Sequence, residues 1–311
     1  MKAAQIKDYG SADKVQVTDI EQPTPNDDQV LVEVHASSLN PFDTMVREGY
    51  LKEMIPLELP VTLGGDIAGV VSETGKNVTN VSVGDKVYGQ SAAVAGNSGA
   101  LAEFAVTKYG QVGIMPSNLD FNQSASLALV GVSAQQAIKE HVKLTSEQKI
   151  LIHGGSGGIG SIAIQIAKDI GAFVATTATG DGVELAKSLG ADQVIDYANE
   201  KFDEVLSDFD AVFDTVAGET YDRSFKVVKR GGIIVSMNAQ PNQELMDQYG
   251  VEAIYQSTRV TTEALNGLRE LIESGVVTAR VGKVLPLDQV QQAFEARENG
   301  KVSGKIVVSV K

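Results

Sequence analysis

Hydrophobic and polar residues change their rhythm partway along the chain. From Lys149 onward, short apolar runs alternate with stretches in which apolar residues recur every three or four positions. The runs Lys149 to His153, Phe173 to Thr177, Gln193 to Asp196, Ala211 to Val216, Ile233 to Met237 and Glu252 to Gln256 predict six strands. Most are separated by helical patterns, at Gly158 to Ile170, Val183 to Leu189, Lys201 to Leu206 and Thr220 to Lys229. Asp181, with Glu184 three residues on, predicts a capped start for the second of these helices, and Gly190 its stop. Strands and helices alternating at this length imply right-handed crossovers and a parallel sheet covered on both faces. The ligand of such a sheet belongs at the carboxyl ends of its strands.

Residues 1–118 read differently. Val15 to Ile20, Val30 to His35 and Gly69 to Ser72 are β-branched runs joined by pieces rich in Pro, Gly, Asn and Asp, which predicts a β-rich module. Ser38 to Tyr50, SLNPFDTMVREGY, and Leu63 to Val71, LGGDIAGVV, are polar or glycine-dense and read as loop and close-packed backbone. Over 119–148 the composition shifts to Ala, Leu, Gln and Ser and suggests a helix. Beyond 260 the alternation stops: Thr262 to Ser274 and Leu287 to Asn299 look like amphipathic helices, and Gly304 to Val310 ends as a strand. The chain is therefore expected to return to its first module, giving parts at 1–118, 119–259 and 260–311.

Composition narrows the chemistry. The formal charge of -14 argues against nucleic acid or an anionic membrane as partner, because phosphate backbones and lipid headgroups call for clustered Lys and Arg. No apolar run approaches the roughly 18 residues of a membrane span, and the N-terminal MKAAQIKDYG lacks the apolar stretch of a signal peptide, so a cytoplasmic location is expected. The absence of cysteine excludes disulfides, thiolate nucleophiles and thiolate metal sites. His35, His141 and His153 share no ligand spacing, and no metal site is expected.

A nucleotide must then be held by backbone donors, and one stretch offers them. In KILIHGGSGGIGSIAIQIAKDI, Gly155, Gly157 and Gly160 stand in the G-x-G-x-x-G order between a predicted strand and a predicted helix. Glycines let N–H groups approach a pyrophosphate, and the helix N-terminus adds unpaired donors and partial positive charge. Ser156, Gly157, Gly158 and Ile159 are the expected donors. After the second strand come Thr176, Thr177, Ala178 and Thr179, with no carboxylate to pair with a ribose 2′-hydroxyl, which favours NADPH over NADH.

With SLNPFD, LPVTLGGDIAGVV, VGDKVYG, GALAEFAV, HGGSGGIGSIAIQIAK, LGADQVIDY, DTVAGETYDRS and the closing SGKIVV, nearly the whole chain resembles the zinc-independent quinone oxidoreductases of the medium-chain dehydrogenase/reductase superfamily. The resemblance implies an α/β architecture: a GroES-like catalytic domain, a Rossmann NADPH domain and a C-terminal return, with the active site in the cleft and a homodimer as the assembly. In zinc-dependent relatives the metal is held by Cys, His and Cys at the places of Asn40, Gly65 and Leu129, none of which is a useful ligand here. Without a metal to polarise an alcohol, hydride delivery to an electrophilic acceptor is the better fit.

By the same resemblance Asn40 lies beside the nicotinamide and can donate to the substrate oxygen, while Asp43 either takes part or orients nearby backbone. Tyr50 lies close to an active-site Tyr of relatives, although Leu51 takes that place by alignment and Met45 replaces another pocket residue. Ser133 matches a cofactor-contacting hydroxyl. Thr179 and Tyr197 match residues at the 2′-phosphate, and Gly182 stands where many relatives carry Lys. The expected activity is NADPH-dependent reduction of quinones or similar small electrophiles. Reduction of an alkenal or enone double bond, or a non-catalytic NADPH-binding structural or regulatory role, stays open.

Overall fold

The computed structural model describes residues 1–300 and 302–311. In chain order the elements are β1 (Lys2–Ile6), β2 (Gln16–Asp19), β3 (Gln29–Ser38), α1 (Pro41–Glu48), β4 (Val61–Thr62), β5 (Asp66–Thr74), β6 (Lys86–Gln90), β7 (Phe104–Lys108), β8 (Val112–Ile114) and α2 (Phe121–Gln135). Next come β9 (Lys149–Ile152), α3 (Gly158–Ile170), β10 (Phe173–Ala178), α4 (Asp181–Ser188), β11 (Gln193–Asp196), α5 (Phe202–Val205), β12 (Phe209–Asp214), α6 (Glu219–Ser224), β13 (Val228–Ser236), α7 (Gln243–Tyr249) and β14 (Glu252–Tyr255). The chain closes with α8 (Thr262–Glu273), β15 (Val281–Pro286), α9 (Val290–Glu298) and β16 (Lys305–Ser309). Two units result: Met1–Leu129 with Val260–Glu273 and Ala279–Lys311, and Val130–Arg259 with Ser274–Thr278. No helix among the described residues is long and apolar enough to cross a membrane.

The first unit is β-rich. Its larger sheet runs β15-β16-β3-β5-β6-β8, with β7 also on β3, and a three-stranded sheet runs β2-β1-β4. All of its pairings are antiparallel except β15 with β16. Alternate residues Val30, Val32 and Val34 of β3 are fully buried with Ile67 and Val87, as period-2 patterning requires. The pairing that matters for the site joins the two ends of the chain. Val307 lies opposite Ser38 and Val308 opposite Ser37, and the ladder continues through Leu39 N–H to the Ile306 carbonyl at 2.9 Å. Lys305 is thereby brought beside Asn40.

Part of the expected loop at SLNPFDTMVREGY is helix α1. Asn40 is its N-cap, Pro41 occupies the first turn, and the Asp43 carboxylate accepts the Asn40 N–H at 2.7 Å. Gly49, in the left-handed region at φ 78°, ends the helix. The helix is held by Arg47, whose side chain is fully buried. It donates to the Gly10 carbonyl at 2.9 Å, pairs with Glu298 of α9 and with Glu48, and lies over the Phe294 ring. LGGDIAGVV is likewise ordered, feeding directly into β5.

The second unit carries a six-stranded, wholly parallel sheet in the order β11-β10-β9-β12-β13-β14. This is the doubly wound arrangement expected from the alternation. Leu151, Val212, Ile234, Phe225 and Ala253 lie in one of its cores. The helix expected over Thr220 to Lys229 stops at Ser224, because Val227 and Val228 are buried β-branched residues that turn the chain into β13. Asp181 is the first residue of α4 and not its cap. Gly180 holds that place with φ 55° and ψ -136°, a conformation a Cβ would strain, and no side chain caps the helix. Helix α7 and strand β15 lay outside the sequence reading; β15 is short and mostly exposed, so its apolar pattern is weak.

Candidate active site

In the first unit the carboxyl end of β3, the start of α1, the start of β5 and the start of β16 place Ser38, Asn40, Asp43, Asp66 and Lys305 together. Asp66 is fully buried, and its Oδ2 accepts from Ser38 Oγ and from Asn40 Nδ2, each at 2.7 Å. Its Oδ1 accepts the Leu129 N–H at 3.1 Å. Lys305 Nζ donates to Asn40 Oδ1 at 2.5 Å and to the Leu39 carbonyl at 2.9 Å, and lies 3.7 Å from Asp66 Oδ2. Burial lowers the Lys305 pKa, with Asp66 and Asp43 opposing the shift.

The Asn40 carboxamide is consequently oriented without ambiguity. Lys offers only donors and a carboxylate only accepts, so the amide oxygen faces Lys305 and the nitrogen faces Asp66. One Nδ2 hydrogen remains; among the described residues it has no partner. Asn40 itself is 2% exposed.

Asp43 is buried as well, and desolvation pushes its pKa up to about 7. Asp66 adds to the rise, while the Asn40 N–H, Lys305 and Arg297 hold it back. Its Oδ1 lies 3.8 Å from where a Cβ on Gly65 would sit. It lines a small recess with Phe42, Val46, Thr62, Leu63, Gly64, Ala92, Ala93 and Val94. Tyr50 is not part of this cluster. The left-handed Gly49 turns the chain outward, and Tyr50 is 72% exposed just after α1.

The three places that hold zinc in metal-dependent relatives carry other interactions here. Asn40 spends its amide oxygen on Lys305, Gly65 has no side chain, and Leu129 contributes a backbone N–H to Asp66. This donor set does not fit zinc, which takes three or four N, S or carboxylate ligands. Among the described residues no group of three or more His, Cys, Asp or Glu side chains could hold a metal.

The second unit places the glycine-rich turn between β9 and α3. Gly160 must be glycine because a Cβ there would collide with the Gly154 carbonyl. Gly157 caps α3, and its own N–H is consumed by the Gly154 carbonyl at 2.9 Å, so it is not the phosphate donor expected from the spacing. The N–H groups of Ser156, Gly158, Ile159 and Gly160 have no protein partner among the described residues. This cradle at the start of a 13-residue helix fits a pyrophosphate. Ser133 is fully buried in α2 and shares a 2.8 Å hydrogen bond with Thr258.

Thr179 and Tyr197 follow β10 and β11, whose register pairs Ala178 with Asp196. Tyr197 is 61% exposed. Thr179 lies by the Asp196 carboxylate, which accepts from Asn199 Nδ2 at 2.7 Å and the Ala198 N–H at 3.2 Å. The Thr179 side chain is the main cause of that carboxylate's lowered pKa. A Cβ on Gly182 would meet Ser156 Oγ at 2.7 Å. His153, just before the turn, is fully buried between Thr177 Oγ1 at 3.1 Å and Ser224 Oγ at 3.0 Å. Burial lowers its pKa to about 4, which leaves a neutral ring that braces the turn.

Asp66, Lys305 and Asp196 escaped sequence reading as site residues. Asp66 had a weak signal, an acid among glycines leading into an apolar strand, and Lys305 another, a cation entering GKIVVSV. Asp196 had none, because its neighbour Thr179 belongs to the adjacent strand end.

A β-rich unit with a buried Asn-Asp-Lys cluster and no fitting metal ligands, and a second unit whose parallel sheet carries a phosphate cradle, define a zinc-free medium-chain oxidoreductase. Comparison with known proteins agrees. Residues 26–117 match the alcohol dehydrogenase GroES-like domain and residues 189–308 the zinc-binding dehydrogenase family. The chain is 36% identical to tomato (Solanum lycopersicum) 2-methylene-furan-3-one reductase, over 99% of this chain and 79% of that one. It is 34% identical to the Arabidopsis thaliana chloroplastic NADPH-dependent alkenal/one oxidoreductase, with the same coverage. The solved quinone oxidoreductase of Coxiella burnetii superposes with a TM-score of 0.91 at 32% identity, over 100% of this chain and 99% of that one. The chain belongs to the quinone oxidoreductase-like, zinc-independent family of the medium-chain dehydrogenase/reductase superfamily.

Proposed function

We propose that this protein is an NADPH-dependent reductase of quinones and similar electrophilic carbonyl compounds. The observation that carries the reading is the Asn40 carboxamide, locked in a buried site with one N–H unspent and no metal ligand beside it. NADPH supplies the hydride when bound. Ser156, Gly158 and Ile159 N–H groups hold its pyrophosphate, Ser133 supports the cofactor from α2, and Thr179 and Tyr197 meet the 2′-phosphate.

Asn40 Nδ2 donates its free hydrogen to the acceptor oxygen as negative charge develops there, an interaction worth more in a dry site than in water. Asp43, with its pKa pushed up to about 7, lines the recess and can release a proton to the reduced product. Tyr50 stands outside this cluster and carries no step.

Reduction of an alkenal or enone carbon-carbon double bond is the second reading. The names of the tomato and Arabidopsis relatives favour it, and so does Asp43, since hydride addition to such a substrate must be completed by a proton on carbon. In either case 1–118 and 260–311 form the catalytic part and 119–259 the NADPH part. A cytoplasmic homodimer completes the proposal, supported by the composition and the family resemblance; sedimentation equilibrium tests the dimer.

NADPH oxidation across a panel of quinones, alkenals and enones, with products identified, tests the reading. Hydroquinone formation supports the first, saturated carbonyl products the second. Tight NADPH binding without turnover across the panel would overturn both and leave a cofactor-binding protein.

A further inference from the structure

An asparagine at a helix N-cap ordinarily turns its side-chain oxygen to the N–H of the second or third helical residue. At Asn40 that oxygen is also held by Lys305 at 2.5 Å, and the Asp43 N–H bonds the Asn40 main-chain carbonyl at 3.1 Å. The arrangement has a cost, because Lys305 and Asp66 are a charged pair held in the interior, where apolar residues of similar size are often as stable or more so. Its effect is to fix the rotation of a single carboxamide.

We propose that Lys305 is a positioning residue for hydride transfer, holding the Asn40 carboxamide with Nδ2 as donor and polarising it through the bond to Oδ1. An ammonium on the amide oxygen draws electron density toward it and strengthens the remaining N–H toward an anionic oxygen. Asp66 completes the lock from the other side and is itself saturated by Ser38, Asn40 and the Leu129 N–H. The favoured acceptors are those whose reduction places negative charge on oxygen. The inference rests on the reading of Asn40 as oxyanion donor, and the test separates the two.

Single-turnover NADPH oxidation with menadione and with crotonaldehyde is measured in Asn40→Ala, Lys305→Met, the double variant and Lys305→Arg. NADPH Kd and Tm are followed throughout. Lys305→Met is expected to slow hydride transfer by about tenfold to a hundredfold at unchanged NADPH Kd, to add nothing in the Asn40→Ala background, and to be largely rescued in Lys305→Arg. In the protein without cofactor, the Asn40 side-chain N–H resonance, assigned by its loss in Asn40→Ala, moves upfield in Lys305→Met. If Lys305→Met does not fold, Lys305→Met with Asp66→Asn, which removes both buried charges, carries the same expectation. A full rate in Asn40→Ala would overturn the donor reading. A slow Asn40→Ala with a full-rate Lys305→Met, or equal losses for Lys305→Met in both backgrounds, would overturn the Lys305 inference alone.

Discussion

Thr179 stands by the Asp196 carboxylate at the ends of two adjacent parallel strands, and its side chain is the main cause of that carboxylate's lowered pKa. A residue proposed to meet the 2′-phosphate therefore already has an anion beside it. An incoming phosphate meets the Asp196 charge. Asp196→Asn should raise kcat/KM for NADPH by roughly threefold to tenfold at low salt, less at high salt, and leave NADH nearly unchanged. Steady-state kinetics with both cofactors at two ionic strengths checks this.

Thr179→Ala removes the hydroxyl itself. A hydrogen bond to a charged group is worth about 1.5 to 3 kcal/mol, so kcat/KM for NADPH should fall about 10- to 100-fold with little effect on NADH. Equal losses with both cofactors would remove Thr179 from the phosphate site.

Asn40→Ala should slow the hydride step by about a hundredfold, the scale of losing one oxyanion donor. NADPH affinity should hold, because the phosphate cradle lies on other residues. Stopped-flow oxidation and a binding titration separate the two effects.

Asp43 gives a pH signature in stability. Its pKa of about 7 in the folded protein stands above the unfolded value of 3.8, so the folded state binds the proton more tightly. That stability is complete below the unfolded value and is lost as pH rises through about 7, on the order of 4 kcal/mol in all. Asp43→Asn, which keeps an oxygen for the Asn40 N–H, should flatten the dependence. Urea unfolding of both proteins between pH 4 and pH 8 reads the difference; parallel curves would contradict the assignment.

Arg47 ties α1 to α9 through Glu298 and Phe294. Arg47→Met should cost about 3 kcal/mol in urea unfolding, because Glu298 and Glu48 lose their countercharge and the Gly10 carbonyl its donor.

The second unit was legible from the amino-acid order because its information is local. Apolar runs, helical spacing and G-x-G-x-x-G each lie within one strand-turn-helix, and α3 spans Gly158–Ile170 as the periodicity predicts. The family resemblance located the zinc places as Asn40, Gly65 and Leu129, whose side chains do not make a zinc donor set. What tertiary structure decided is which groups meet. Lys305 reaches Asn40 only because β16 pairs with β3 across 265 residues of chain. Asp43 acquires its raised pKa only by burial beside Asp66, and Asp196 meets Thr179 only through the β10 and β11 register. Periodicity reports what a residue does to its own segment. A hydrogen bond between distant segments leaves no trace in the spacing of either, so the reactive cluster becomes visible only when the chain has folded.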